Sequence, residues 1–211
     1  MKKTLYFLSM IAFLASCQSA PSGENAQTAE QQEAAKAKGA AYTVDNAQST
    51  LTFVGSKPVG THTGTFKLTE GNLTVEDGNI SSGKFTFDIN SLNITDEDTS
   101  YKAKLTGHLL SPDFFDAAKY KTATFEITSC QALTNDTNGT HRISGNLTMK
   151  DSTKNVTFTS KVTLSDTQLK ATADFNIDRT QWGLFYGNDK SLGDKFIYPE
   201  VKIKFDITAN K

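Results

Sequence analysis

The chain has 211 residues, 37% of them hydrophobic, enough for one globular domain with a real core. Its 22 basic residues against 23 acidic ones leave a net charge of −1, which excludes a nucleic-acid binder that works through a basic face. Two cysteines exclude a disulfide framework of the kind that staples small secreted domains.

The chain opens on Met1-Lys2-Lys3, a positive start, followed by a short apolar run from Leu5 to Leu14 and by Leu14-Ala15-Ser16-Cys17. The run is about half the ~20 residues that a bilayer span needs, so residues 1–16 read as a signal peptide. The Leu-Ala-Ser-Cys ending resembles the bacterial lipobox, which makes Cys17 the lipid attachment point and the mature N-terminus. The expected location is then the cell envelope, as a membrane-anchored lipoprotein that is periplasmic or on the outer membrane. Loss of Lys2 and Lys3 takes the net charge to about −3, ordinary for a soluble surface. Residues 17–40 are rich in Gln, Ala, Ser, Glu and Lys and carry no bulky apolar side chain. They read as a flexible tether, transiently helical near Ala29 to Ala37.

From residue 41 to 211 the dominant period is two. Gly60-Thr61-His62-Thr63-Gly64-Thr65-Phe66 comes first, with Gly64 marking a bulge or a close approach by a backbone or a ligand. Phe85, Phe87 and Ile89 alternate with polar residues; after them the spacing turns helical from Asp96 to Tyr120. Tyr101, Leu105, His108 and Leu109 share one helix face, with Asp96, Glu97 and Asp98 where a helix N-terminus favours negative charge. Pro112 ends that helix, and Ser111-Pro112-Asp113 predicts a second short helix carrying Phe114 and Phe115. This insertion is expected to be a lid or plug at one end of the domain.

Alternation resumes at Phe125 and Ile127, with Cys130 expected as a small residue near a strand end. It continues through Ile143 and Leu147, Val156 to Leu164, Leu169 to Ile177, and Val201 to Ile207. Turn signals fall at Glu76 to Asn79, Asn135 to Gly139, and Ser165-Asp166. One-faced strands in series must pair their apolar faces, and closure also removes exposed edges. The even spacing predicts an all-β fold, an eight-stranded antiparallel β-barrel in up-and-down order with a short helical insertion. Such a barrel holds one small ligand or is filled by its own side chains.

No metal-ligand spacing, nucleophile elbow or phosphate-cradling loop occurs, so neither an enzyme nor a metal site is expected. His62 and His108 read either as structural histidines or as ligand contacts, and His141 as an exposed strand-end residue. Asp178-Arg179-Thr180-Gln181-Trp182-Gly183 holds the one tryptophan, and Arg179 reads equally as an anchor for a polar ligand head or as a brace over an aromatic ring. Ser160 and Ala173 are small residues at inward positions. Seven Asn-x-Ser/Thr sequons, among them those at Asn72, Asn79, Asn93 and Asn146, read as Asn- and Thr-rich strand surfaces and turns.

Three blocks carry a family resemblance. They are Gly107-His108-Leu109-Leu110-Ser111-Pro112-Asp113-Phe114-Phe115-Asp116, Ser144 to Lys150 with Thr153-Lys154-Asn155-Val156, and Ile177 to Gly183. In this order they resemble the YceI-like family, the bacterial polyisoprenoid-binding, lipocalin-like barrels. Two departures stand out: Gln48-Ser49 where many members have His-Ser, and Lys119-Tyr120-Lys121 where they have Lys-Tyr-Pro. The resemblance implies an elongated apolar cavity and non-catalytic binding or carriage of a long-chain lipid of isoprenoid, quinone or fatty-amide type. The expected ligand-facing set is His62, Phe66, His108, Phe114, Phe158, Ser160, Ala173, Arg179 and Trp182, with no cofactor beyond a bound lipid such as a polyisoprenoid. Expected partners are the apolar lipid and the membrane through the N-terminal lipid, with a homodimer left open. The alternative is a solid-core barrel acting as a scaffold or stress protein of the envelope.

Overall fold

The computed structural model describes residues 20–96 and 100–211; the signal peptide, Cys17, and Glu97 and Asp98 lie outside them. The eight strands that alternate in sequence close into one antiparallel barrel. They are β4 (Thr50–Lys57), β5 (Gly60–Glu76), β6 (Asn79–Ile94), β7 (Thr122–Ala132), β8 (His141–Met149), β9 (Ser152–Leu164), β10 (Gln168–Asp178) and β11 (Glu200–Asn210). Each pairs with its neighbour in sequence, and β11 pairs with β4, from Val201 opposite Gly55 to Asp206 opposite Thr50, to close the ring. A short strand, β3 (Ala40–Val44), continues the β4 position between β11 and β5. The chain steps from β3 to β4 through Asp45, whose carboxylate accepts the Ala47 and Gln48 amides. Ser49 is buried and bonds both the N–H and the C=O of Thr208. Gln48 is exposed and donates to Asp45 at 2.7 Å.

The inward set is the one that alternation predicts: Val156, Phe158 and Ser160 on β9, and Leu169, Ala171, Phe175 and Ile177 on β10, are all buried. Apolar burial of this kind contributes about 1.5–3 kcal/mol per large side chain. Gly64 itself pairs regularly with Ile94, and the β5–β6 register breaks just after it, between Thr65 and Lys67. A Cβ on Gly64 would lie 2.5 Å from the Phe53 ring, so the close approach is made by the protein's own aromatic side chain.

The helical insertion is one helix, α1 (Lys102–Leu110), with Leu105 and Leu109 turned toward a small cluster formed by Phe66, Ile89, Leu92 and Ile94. The expected second helix is instead a pair of tight turns. Phe114 and Asp116 donate to the Ser111 carbonyl, and Lys119 and Tyr120 to that of Asp116. Asp116, with φ 49°, reverses the chain where a helix would continue it.

The largest departure from expectation concerns residues 20–40, read above as part of a flexible tether. They run as a belt on the barrel. β9 and β10 pair only from Leu164 opposite Leu169 to Lys161 opposite Thr172, then diverge. Into that seam go β1 (Glu24–Asn25), parallel to β10 at Phe175 and Asn176, and β2 (Gln27–Glu30), antiparallel to β9 from Thr157 to Lys154. The belt then crosses β8 and β7, where Gln32 bonds Asn146 and the Ala35 amide donates to the Ile127 carbonyl. It reaches β5 at Gly39, where φ is +80° and a Cβ would stand 2.0 Å from the Val75 carbonyl oxygen, so only glycine fits.

Candidate functional site

Two adjoining spaces lie along the barrel. The inner one, about 120 Å³, is lined entirely by hydrophobic side chains, among them Leu73, Phe85, Ile143, Val156, Phe158, Ala171 and Phe175. The outer one, about 360 Å³, lies at the open end beneath α1 and is walled by Phe53, His62, Leu105, His108, Leu109, Phe114, Phe115, Arg179, Tyr186 and Ile197. Met149, Ile177 and Ile203 line both, so the mouth chamber directly adjoins the interior. A larger concavity of about 820 Å³ is an open groove on the outer wall, edged by Glu24, Lys161, Asp174 and Lys204. Ala173 and Phe205 are its only apolar lining residues and the rest are polar or charged, so this open groove offers an apolar chain no enclosed surface and is not the site.

The floor of the interior is aromatic. Phe158 and Phe175 stack with centroids 4.1 Å apart and planes 5° from parallel, and Phe205 and Phe125 meet Phe158 at 5.6 and 5.8 Å. The four rings come from β9, β10, β11 and β7, inward positions that barrel closure brings together.

The mouth carries the polar groups. His62, inward on β5, places Nδ1 2.8 Å from the Asp96 carboxylate. That carboxylate also accepts from the Thr63 amide at 2.7 Å and the Tyr101 hydroxyl at 3.1 Å. Burial works to raise the Asp96 pKa, but the Thr63, His62 and Tyr101 bonds outweigh it and hold the group below its ordinary value. His108, on α1, sets Nε2 3.0 Å from Asp113 and stands edge-on to Phe114 and Tyr186, at 5.2 and 4.6 Å. In each of the two histidines a carboxylate thus takes one ring nitrogen.

Arg179 follows β10 in a 3-10 turn (Arg179–Trp182) and is buried. Its guanidinium donates to three main-chain carbonyls, those of Tyr198 (3.3 Å), Ile197 (3.0 Å) and Leu184, and lies 6.0 Å over the Phe114 ring. Burial lowers its pKa, with Asp178 opposing, yet an arginine this far from its pKa keeps its charge at working pH. Of the two roles read for it, this geometry is that of a brace. It pins the loop from 184 to 198 against the end of β10.

Of the expected ligand-facing residues, His62, His108, Phe114 and Arg179 meet at the mouth and Phe158 lines the interior. The other four line neither space. Phe66 packs against Phe53 and Phe115 beneath α1. Trp182 is fully buried and donates to the Leu147 carbonyl at 2.8 Å. Ser160 bonds the Thr172 carbonyl at 3.0 Å, where β9 and β10 part, and Ala173 borders the outer groove. Sequence reasoning missed Tyr186, Phe115 and Ile197. The run Leu184-Phe185-Tyr186 directly after the Trp182-Gly183 block was the available signal. Cys130 faces the core from β7, and burial pushes its thiol to about 11, so it is an unreactive thiol rather than a nucleophile. Among the described residues no group of three metal-ligating side chains gathers, and no helix is long and apolar enough to cross a membrane.

Comparison with known proteins adds the family. Protein YceI of Escherichia coli O17:K52:H18 is 36% identical over 99 residues, 47% of this chain and 48% of that protein. A UPF0312 protein of Ectopseudomonas mendocina is 34% identical over 98 residues, 46% and 48%. The chain thus spans about half the length of the curated relatives it matches. Among solved structures, Burkholderia cenocepacia BcnA superposes with a TM-score of 0.64 at 22% identity, over 78% of this chain and 98% of that one. A polyisoprenoid binding domain from Saccharophagus degradans implicated in plant cell wall breakdown gives 0.61 at 18%, over 80% and 97%. At these identities the structural likeness speaks for the fold. A family model for the YceI-like domain matches residues 42–209, the whole barrel from β3 to β11, and the chain belongs to the YceI-like family.

Proposed function

We propose that the barrel is a non-catalytic module that binds an apolar lipid chain, with the chain's tail in the interior and its head at the mouth. The observation that carries this reading is an interior lined only by hydrophobic residues set directly beside a mouth chamber that supplies the polar groups. Their combined size falls in the usual range for a small-molecule site, about 300–1,000 Å³. The Saccharophagus degradans relative, described as a polyisoprenoid binding domain, supports an isoprenoid-like ligand, with a quinone or fatty amide as the same chemical type. The leader and Cys17 support carriage at the cell envelope by a lipid-anchored protein. One observation favours the alternative of a solid barrel: the Phe158–Phe175 stack leaves only about 120 Å³ below the mouth.

Ala171 decides between them, because it is buried and lines the interior. In a filled core Ala171→Phe forces strain of about 1–3 kcal/mol. In a ligand-holding barrel the ring occupies lipid space, so the delipidated variant keeps its Tm and carries less lipid. The measurements are mass spectrometry of lipid extracted from the purified protein and the Tm after delipidation. Absence of lipid from the parent, with a destabilised variant, refutes lipid binding.

A further inference from the structure

Among the described residues four large apolar side chains stand out in solvent: Val59 (59% exposed), Phe185 (58%), Tyr186 (47%) and Leu192 (45%). Scattered exposed hydrophobics are ordinary, but these gather at one end. Tyr186 is itself on the chamber wall, Phe185 follows the wall residue Leu184, Val59 lies two residues past Lys57, and Leu192 two before Asp194. The charges between them alternate, with Lys57, Lys190 and Lys195 against Asp189 and Asp194. A near-balanced rim with long lysine stems suits insertion of apolar side chains into a headgroup layer while the ammonium groups stay in water.

The course of the chain selects the same end. The Asn176 side chain donates to the Pro21 carbonyl at 3.0 Å. Asn176 precedes Ile177, a wall residue of the mouth. Cys17 is four residues before Pro21, so it reaches at most about 14 Å from that point. Gln168, at the far end of β10, is eight residues from Asn176, about 26 Å along the strand. A lipid on Cys17 therefore has the reach to hold the mouth end at a bilayer and not the opposite end.

We propose that the rim formed by Val59, Phe185, Tyr186 and Leu192 is a membrane-docking surface. It seats the chamber opening on a phospholipid bilayer, so that an apolar chain passes between bilayer and barrel without crossing water. This rests on the lipid-binding reading above and names the surface that feeds that site.

The test places tryptophan reporters on the full-length, natively processed protein: Phe185→Trp and Leu192→Trp at the rim, Thr167→Trp at the far end. Each is mixed with vesicles of phosphatidylethanolamine and phosphatidylglycerol containing brominated acyl chains, and the buried Trp182 signal of the parent is subtracted. The rim reporters are expected to shift to the blue and to be quenched at least about three-fold more than Thr167→Trp. Equal quenching at both ends, or none, overturns the proposal. So does rim emission that responds to protein concentration and not to vesicles, which assigns the face to a second copy of the chain. Lipid recovered from the same samples reads the cavity separately: lipid present without rim quenching refutes docking alone, and lipid absent refutes carriage.

Discussion

Replacing Asn146 with alanine should loosen the barrel although Asn146 points away from its interior. The side chain lies on the outer face of β8, yet only 5% of the residue is exposed, because the belt covers it. Its Oδ1 accepts the Gln32 amide at 3.0 Å and Asn155 Nδ2 at 3.1 Å, and its Nδ2 donates to the Gln32 carbonyl at 2.7 Å. Asn155 is 2% exposed and keeps one bond to Thr128. Three bonds at ~0.5–1.5 kcal/mol each give a loss of about 2–4 kcal/mol. If the belt unfolds with the barrel, a domain of this size loses about 2–4 °C of Tm per kcal/mol, so Tm falls by about 4–16 °C. If the belt opens alone, Tm moves less and the exchange of the Gln32 and Ala35 amides speeds up by about 30-fold or more. Thermal unfolding followed by circular dichroism, with hydrogen exchange on the same variant, covers both cases. A Tm within 2 °C of the parent (roughly one kcal/mol or less by the same scaling), together with unchanged exchange at Gln32 and Ala35, would refute the belt's structural role.

Arg179→Gln should cost at least about 3 kcal/mol, since it leaves three buried or part-buried main-chain carbonyls without their donor at about 1–3 kcal/mol each, and lipid per folded molecule should hold. A stable variant that loses lipid would instead make Arg179 a head-group anchor. Asp96 gives the acid side of the stability curve. Its folded pKa lies below the unfolded value of about 3.9, so its contribution is complete above that value and is lost as pH falls through the lower folded pKa. Asp96→Asn should therefore flatten the fall in Tm below about pH 4, and an identical acid limb in both proteins would contradict the assignment.

Strand periodicity is local, and it placed the inward faces of β9 and β10 correctly from Val156, Phe158, Leu169 and Ile177. What it could not supply was register between strands. Ser160 and Ala173 are inward small residues as expected, yet they stand where β9 and β10 separate. Ser160 Oγ there satisfies the Thr172 carbonyl instead of leaving room for a ligand. At the mouth, His62, His108, Phe114 and Arg179 were each legible alone. Their convergence depends on closure of β11 onto β4, which brings the end of β10 beside the start of β5. The second helix failed for a local reason. Ser111-Pro112-Asp113 is a sound helix start, but the left-handed turn at Asp116 ends it after one tight turn, before an i to i+4 bond has formed.

The belt exposes a gap in the composition argument itself. Residues 17–40 were read as unable to fold because they hold no side chain worth burying, which is sound for a segment standing alone. It does not hold beside an open pair of strand edges. From Ser160 back toward Ser152 on β9, and from Ala173 on along β10, the two strands leave each other's main-chain groups unpaired, and buried unpaired groups are costly. A strand inserted there gains its binding from main-chain hydrogen bonds, for which side-chain bulk is irrelevant. Small residues are then an advantage: Ala26 packs against the core cluster from the seam, and its amide donates to the Asn176 carbonyl at 2.9 Å. The matching signal lies on the barrel, in outward asparagines at Asn146, Asn155 and Asn176, which are each at least 95% buried. An amide buried on the wet face of a strand needs a covering partner. Asn146 finds it in Gln32 and Asn176 in Pro21 and Asn25, while Asn155 bonds Asn146 beneath the belt. The same polar residues that read as a solvated surface in sequence are therefore the receptor for the chain's own N-terminal segment.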